Sequence, residues 1–293
     1  MRISIVIPNY NSGEVLERAI ISLLEQNYPD LQLIMADSAS TDVSRDILER
    51  YRGRFDVVLS EKDKGQADGL NKAFRHADGD IFGWLCADDE LMPGALHHVA
   101  ERFRADPHAE VVIGGCERVF ADGGRCETQA DPHTWEKIGI LNVIEQPSTF
   151  WRAGLHRRLG ELDTSYHLAF DWDFWCRMRD SGARLLTTER ILSRYFFSES
   201  NKSGNAGALF AREAFRIVRK YGPLNGGLAY IFRGLYRYFD LKGCYDQPPT
   251  CTRTRGAMFI FALGTLRTLV GTRLIYSYNW HFASLQERGL RWW

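Results

Sequence analysis

The sequence predicts an α/β fold: a mostly parallel sheet covered by helices, carrying a helical, basic extension at its C-terminal end. Three observations carry this reading. The strand-length apolar runs are continuous rather than alternating, as strands buried on both faces are. Segments with apolar residues at helical spacing fall between them, the βαβ pattern of a parallel sheet. The runs end in polar and mostly acidic residues, which an open parallel sheet gathers along one crevice.

Residues 3–8 (ISIVIP) form the first strand. Val15, Ala19, Ile20, Leu23 and Leu24 then recur at helical spacing, with Asn11 or Ser12 placed to cap that helix. Residues 31–36 are a second strand, and residues 43–51 a helix with Ile47, Leu48 and Tyr51 on one face. Residues 55–59 are a third strand, 66–76 a helix and 81–86 a fourth strand, after which Pro93 opens a helix. Residues 110–114 are a fifth strand. Beyond Cys116 the pattern changes. Residues 118–120 and 125–128 flank Asp122-Gly123-Gly124 as a hairpin would. Residues 148–151 read as a strand, 171–181 as a helix and 184–192 as a strand.

The chain has 293 residues, 45% of them hydrophobic, enough for one large domain with an appendage. The expected division is a catalytic-type domain over residues 1–203 and a helical basic extension over 204–293. The six cysteines form no CxxC pair and stand at no zinc spacing with histidine, which argues against a disulfide framework and a zinc site and for a reducing cytoplasm. The first residues lead into a strand with no signal-peptide pattern. Net charge is zero but unevenly placed. From Asn205 onward there are 13 Lys/Arg against 4 Asp/Glu, and the first 204 residues hold 24 against 33. A basic tail on an acidic body meets phosphate, in lipid headgroups or nucleic acid. No nucleic-acid motif is present, so the membrane surface is the expected partner.

The fourth strand runs into Cys86-Ala87-Asp88-Asp89-Glu90. Two carboxylates at the end of a buried strand repel each other and are costly to desolvate. A bound cation removes that cost. The alternative is an acidic turn in which Asp89 caps the next helix. The other strands end at Pro8-Asn9-Tyr10-Asn11, at Asp37-Ser38-Ala39-Ser40-Thr41-Asp42 and at Glu61-Lys62-Asp63-Lys64-Gly65. Acidic groups with Lys64 among them suit a nucleotide diphosphate bridged by a divalent cation. Asp37 is placed to accept hydrogen bonds from a base or ribose, and Tyr10 to stack on a base. Asp, Asn and Ser are also common in loops simply because they make turns. No GxGxxG follows the first strand, and neither a P-loop nor a GxSxG elbow occurs.

Taken in order, residues 3–11, Asp37 with Ser40-Thr41-Asp42, residues 61–65, Leu70-Asn71-Lys72-Ala73, Asp78-Gly79-Asp80 and Asp88-Asp89 resemble the family 2 glycosyltransferases over about residues 1–203. The resemblance implies a GT-A-type fold. It implies that Pro8, Tyr10 and Asp37 line the nucleotide pocket, that Asp88 lies near the ribose and Asp89 on the metal, and that Lys64 and Asp68 border the donor site. Residues 170–177 (FDWDFWCR) resemble the acidic helix start that supplies the family's catalytic base, which implies that role for Asp171. Two departures stand out. Phe170 replaces an acid, and the loop over residues 195–198 lacks the histidine that often ligates the metal. The metal would then rely on Asp89, the diphosphate and water, as Mg²⁺ commonly does. Without the resemblance, Asp171 and Asp173 are carboxylates favoured by a helix N-terminus, and Asp173 would pair with Arg177 one turn on. Gln146-Pro147-Ser148-Thr149-Phe150 resembles a segment of the site floor. Trp84, Trp151, Trp172 and Trp175 lie near these motifs, as sugar platforms or as core.

In the extension, Leu228, Ile231, Phe232, Leu235, Tyr236 and Phe239 follow helical spacing with Arg233 and Arg237 off the stripe. Such a helix lies in a membrane interface or packs on the body. Residues 257–278 are more apolar but hold Arg267 and Arg273. Each arginine costs about 2.5–3.5 kcal/mol at mid-bilayer, so surface contact is expected rather than a span.

Together these readings imply a metal-dependent inverting glycosyltransferase using a nucleotide-diphosphate sugar and Mg²⁺ or Mn²⁺. The acceptor would be a glycan or lipid-linked glycan in bacterial polysaccharide assembly. The protein would be cytoplasmic and peripheral on the inner face of the cell membrane. Two alternatives are weaker. A sugar nucleotidyltransferase wants a Gly-rich phosphate loop where Asn9-Tyr10-Asn11-Ser12 stands. A non-catalytic binding module would not need Asp88, Asp89 and Asp171 together.

Overall fold

A computed structural model describes residues 1–197 and 207–222, with isolated positions between 257 and 268. Residues 1–132 and 144–198 form one compact unit, and residues 133–143 and 199–293 a second. In chain order the first unit runs β1 (Ile3–Asn9), α1 (Gly13–Leu24), β2 (Leu31–Asp37), α2 (Ser44–Arg50), β3 (Val57–Ser60), α3 (Gln66–Phe74), β4 (Ile81–Trp84), β5 (Glu90–Leu91), α4 (Ala95–Ala105), β6 (Val111–Phe120) and β7 (Arg125–Thr128). The second unit contributes α5 (Thr134–Lys137). The first resumes with β8 (Thr149–Arg152), α6 (Ala153–Leu159), α7 (Phe170–Asp180) and β9 (Leu185–Phe197). In the second, α8 (Gly207–Tyr221) buries Glu213, Ile217 and Val218. The amphipathic stripe expected over residues 228–239 lies outside the described residues.

The strand order is β3-β2-β1-β4-β8-β6-β9-β5, with β7 paired to β6. The first four strands are parallel, as their continuous apolar sequences require. β8 then runs antiparallel to both β4 and β6, while β6 and β9 are again parallel. One face of the parallel half packs Ile3, Ile5 and Ile7 against Leu16, Ile20 and Leu23 of α1 and Leu96, Val99 and Phe103 of α4. Each such buried aliphatic side chain contributes about 1.5–3 kcal/mol. Under β4 and β8 lies an aromatic cluster. Trp84 stacks on Trp175 with ring centroids 5.4 Å apart and planes 6° from parallel, and Trp151 meets both edge-on.

The structure differs from the sequence reading at specific places. The runs at 110–114 and 118–120 are one strand, and the strand expected to stop at residue 192 continues to Phe197. The strand expected to end at Gly114 runs on through Gly115, and both glycines mark a close approach. A Cβ at Gly114 would lie 2.4 Å from Leu192, and one at Gly115 2.6 Å from Ile191, where the β6–β9 register also shifts. The strand expected at 55–59 starts at Val57, because a 3-10 turn over Arg52–Arg54 precedes it. Ser12 occupies the N-cap of α1 but makes no side-chain cap bond. The Gly13 N–H is instead accepted by Asp42 Oδ2 at 2.9 Å. The helix after Pro93 starts at Ala95 with Gly94 as its N-cap, so Asp89 is not the cap of that helix.

Candidate active site

Register aligns the strand ends on one side of the crevice. Asn9 lies opposite Asp37, and Asp37 opposite Ser60, so three strand ends finish level. Asp37 is buried and ties them together. Its Oδ1 accepts from Asn9 Nδ2 (2.8 Å) and Ser40 Oγ (2.5 Å), and its Oδ2 from Ser40 N–H (3.1 Å) and Ser60 Oγ (2.8 Å). The Asn11 N–H donates to Ser40 Oγ at 2.8 Å, and Thr41 N–H to Asn11 Oδ1 at 2.8 Å, so the loops after β1 and β2 are laced to each other. The expectation that Asp37 contacts base or ribose thus meets a carboxylate already bonded through both oxygens. Pro8 is half-buried at the end of β1, and Tyr10 is 65% exposed beyond it. Asp37, Thr41, Asp42, Arg45, Val58 and Ser60 are among the residues lining a cleft of about 830 Å³.

Lys64 and Asp68 sit at the start of α3. Asp68 accepts the Lys64 N–H at 3.0 Å, as a carboxylate in the first turn of a helix can, and lies 3.8 Å from Lys72. The Lys64 side chain is exposed.

The acidic pair occupies a tight turn, closed by Asp89 N–H donating to the Cys86 carbonyl at 3.0 Å. Asp89 is 1% exposed, and its buried Oδ1 has no hydrogen-bond partner among the described residues. Burial holds its carboxyl well above the usual carboxylate range, and Asp88 and Glu145 push the same way; the Phe196 N–H and Arg18 oppose them. Asp88 is also raised by burial. Cys86 Sγ and the carboxylate oxygens of Asp88 and Asp89 lie within 4.8 Å of one another. A buried carboxyl with one oxygen unpartnered beside a second carboxylate is costly to ionise, and a divalent cation relieves that cost. The residues therefore fit the cation that the resemblance implies, with Asp89 and Asp88 to hold it.

Arg18, from α1, braces this turn. Its Nη2 donates to the Asp88 carbonyl at 3.1 Å, its Nε lies 2.7 Å from Glu90, and its guanidinium sits 3.6 Å over the Phe196 ring. Glu90 is shared with Arg194, which also pairs with Glu117. Neither Arg18 nor Phe196 was singled out by sequence. Arg18 is one arginine on an amphipathic helix, and Phe196 stands where a histidine was looked for.

Asp171 is the second residue of α7 and half-buried, with its Oδ1 accepting the Trp172 N–H at 2.6 Å. Burial pushes the Cys86 thiol up, and the charges of Asp89, Asp88 and Asp171 push the same way. Asp173 is turned away. It is buried and paired with Arg177 at 3.0 Å. Trp84, Trp151, Trp172 and Trp175 are each 5% exposed or less, so the sugar-platform alternative gives way to core packing. Gln146, on the floor segment, anchors its Nε2 on the Trp84 carbonyl at 2.7 Å and turns its Oε1 to Cys86 Sγ at 3.4 Å.

This geometry stands beside clear likenesses. An uncharacterized glycosyltransferase of Nostoc sp. is 34% identical over 189 residues, 60% of this chain and 56% of that protein. A putative teichuronic acid biosynthesis glycosyltransferase of Bacillus subtilis, TuaG, is 36% identical over 102 residues, 34% of this chain and 40% of that one. The chain thus spans about half the length of these curated relatives. The solved mannosyltransferase of Pyrobaculum calidifontis, in complex with GDP-Man and Mn²⁺, superimposes with a TM-score of 0.57 at 17% identity, covering 97% of this chain and 80% of that one. The fold is of the GT-A type. The model of glycosyl transferase family 2 matches residues 4–176, more than half of the chain, including the strand ends at Asn9, Asp37, Ser60 and Trp84, and the chain belongs to that family.

Proposed function

We propose that the protein is an inverting glycosyltransferase that moves a sugar from a nucleotide-diphosphate sugar to an acceptor hydroxyl. The observation that carries this is the pair of Asp88 and buried Asp89 beside Cys86 just beyond the end of β4, with Asp171 at the start of α7 acting electrostatically on the same thiol. Asp89, with Asp88 beside it, would hold a divalent cation, Mg²⁺ or Mn²⁺. Such an ion, when bound, supplies Lewis-acid stabilisation of a departing diphosphate. Asp171 would take the proton of the acceptor hydroxyl as its oxygen attacks the anomeric carbon. Attack from the face opposite the diphosphate, in one displacement, inverts that carbon. Pro8, Tyr10, Lys64 and Asp68 would border the donor. Asp37 would contribute by holding the loops that form the nucleotide cleft.

The solved neighbour's complex with GDP-Man and Mn²⁺ supports a sugar-nucleotide donor and a metal. The teichuronic acid assignment of TuaG supports polysaccharide assembly, with a glycan or lipid-linked glycan as acceptor. None of the described helices is long and apolar enough to cross a membrane. The basic extension would instead hold the protein on the inner face of the cell membrane. The defining experiment is a turnover screen of UDP-, GDP- and dTDP-sugars with and without a chelator. One donor class should be consumed, and only with a divalent ion present. No consumption of any class would remove this reading.

A further inference from the structure

The donor set at the acidic turn is not all oxygen. Cys86 Sγ lies within 4.8 Å of carboxylate oxygens of both Asp88 and Asp89. Metal–sulfur and metal–oxygen bonds of about 2.3 and 2.1 Å place donors of one ion about 3.0–3.6 Å apart at octahedral or tetrahedral angles. Side-chain rotation inward from separations of up to 4.8 Å would bring all three onto a single ion. The buried Asp89 Oδ1, without a hydrogen-bond partner among the described residues, points independently to a ligand here. The thiol is also held in place from behind. Gln66 Nε2 donates to Sγ at 3.3 Å, and Sγ meets Gln146 Oε1 at 3.4 Å, with Gln146 fixed on the Trp84 carbonyl. An N–H donor behind a sulfur is what a metal-bound thiolate needs in its outer shell.

We propose that Cys86 is a third protein donor to the cation at Asp88 and Asp89, so that the site prefers a thiophilic divalent transition-metal ion over Mg²⁺. The inference rests on the reading of this turn as a cation site. On binding, the thiol proton leaves to solvent and the Sγ–H contact to Gln146 is replaced by the bond to the ion. The Gln66 contact remains. A sulfur in the set disfavours Mg²⁺, which demands hard oxygen ligands, and favours softer ions.

The test is titration of the full chain with Cd²⁺, Co²⁺ and Mg²⁺, alone, for the wild type, Cys86→Ser and Asp89→Asn. Subtracting the Cys86→Ser spectrum from the wild type cancels the other five cysteines. The difference should be a sulfur-to-cadmium charge-transfer band that saturates at one ion per chain. Cys86→Ser should weaken Cd²⁺ and Co²⁺ by about tenfold or more and Mg²⁺ by less than about twofold. Cys86→Ala should repeat that pattern, with circular dichroism confirming the fold of each variant. If Asp89→Asn loses all three ions while Cys86→Ser changes neither band nor affinities, the thiol is not a ligand and the inference falls, leaving the cation site standing. If neither variant alters binding, the ion sits elsewhere and both readings fall.

Discussion

Asp173 and Arg177 form an ion pair one turn apart on α7, with Arg177 Nε 3.0 Å from Asp173 Oδ2 and the carboxylate 1% exposed. Arg177 donates its remaining nitrogens to the carbonyls of Leu159 (2.9 Å) and Glu161 (2.8 Å), which ties the helix to the end of α6. A solvent-exposed helix pair is worth a few tenths of a kcal/mol. Burial changes that. Asp173→Asn leaves a largely buried guanidinium without its counter-charge and should cost about 1–3 kcal/mol. Chemical denaturation should register the loss, while the fraction that remains folded keeps most of its transfer rate.

His156 gives a pH dependence. It is buried among Phe74, Phe82 and Phe174 and accepts the Trp151 Nε1–H at 3.3 Å. Burial, helped by Arg177, lowers its pKa from 6.5 to about 4. The folded chain therefore holds it neutral while the unfolded chain protonates it. Its contribution is complete above pH 6.5 and is lost as pH falls through the window down to about 4. The loss should amount to about 3 kcal/mol. Denaturation midpoints measured across that window should flatten in His156→Gln, which keeps an acceptor for Trp151 but does not titrate. A variant with the same slope as the wild type would place the pH dependence on other groups.

These packing details mark where the sequence stops being legible. The strand ends were readable because a continuous apolar run followed by Asp or Asn means the same thing whatever lies beside it. The acidic pair at Asp88–Asp89 was legible as the end of an apolar run, whereas Asp171 was assigned through the family resemblance alone. What surrounds them depended on distant partners. The fifth strand reads as ending at Gly114 until Leu192 and Ile191 are seen filling the space a Cβ would need. Asp37 reads from sequence as a group for a base or ribose, and only the structure shows that it also ties Asn9, Ser40 and Ser60 together. The Arg18–Phe196 contact joins α1 to β9 across most of the domain, and no local periodicity announces it.

Asp89→Ala should abolish metal-dependent nucleotide binding and transfer together, because the diphosphate loses its charge bridge. The same variant should be more stable than the wild type at neutral pH when no divalent ion is present. The raised carboxyl of Asp89 favours the fold while protonated, and that contribution is lost as pH rises through its elevated range. Thermal melts with and without Mn²⁺ separate the two effects. A metal-free variant less stable than the wild type at neutral pH would show that the Asp89 charge is compensated within the protein.

The basic extension supplies a separate test. Removing the residues after Tyr221 takes away most of the chain's C-terminal Lys and Arg excess. The truncated form should no longer bind vesicles rich in anionic lipid, and binding of the full chain should fall as salt rises. Sedimentation with vesicles at low and high salt measures both. Equal binding by the two forms would move the membrane contact off the extension, and insoluble truncated protein would mean that the extension packs on the body instead.

Asp171→Asn isolates the chemical step. The amide preserves the shape of the side chain and an oxygen to accept the Trp172 N–H, now 2.6 Å from Oδ1. It cannot take a proton. If Asp171 is the general base, transfer should fall by about 10²–10⁴-fold, the usual worth of such a group. Donor affinity should barely move, because the proposed donor contacts lie on the strand ends and at the Asp88–Asp89 turn. Calorimetric donor binding and single-turnover transfer, run side by side with Asp173→Asn, make the comparison complete. Asp173 stands two residues further along the same helix with its carboxylate committed to Arg177. Loss of transfer in Asp173→Asn with retention in Asp171→Asn would assign the base to Asp173 and require the Arg177 pair to open during turnover. Retention in both would take proton transfer away from α7 altogether.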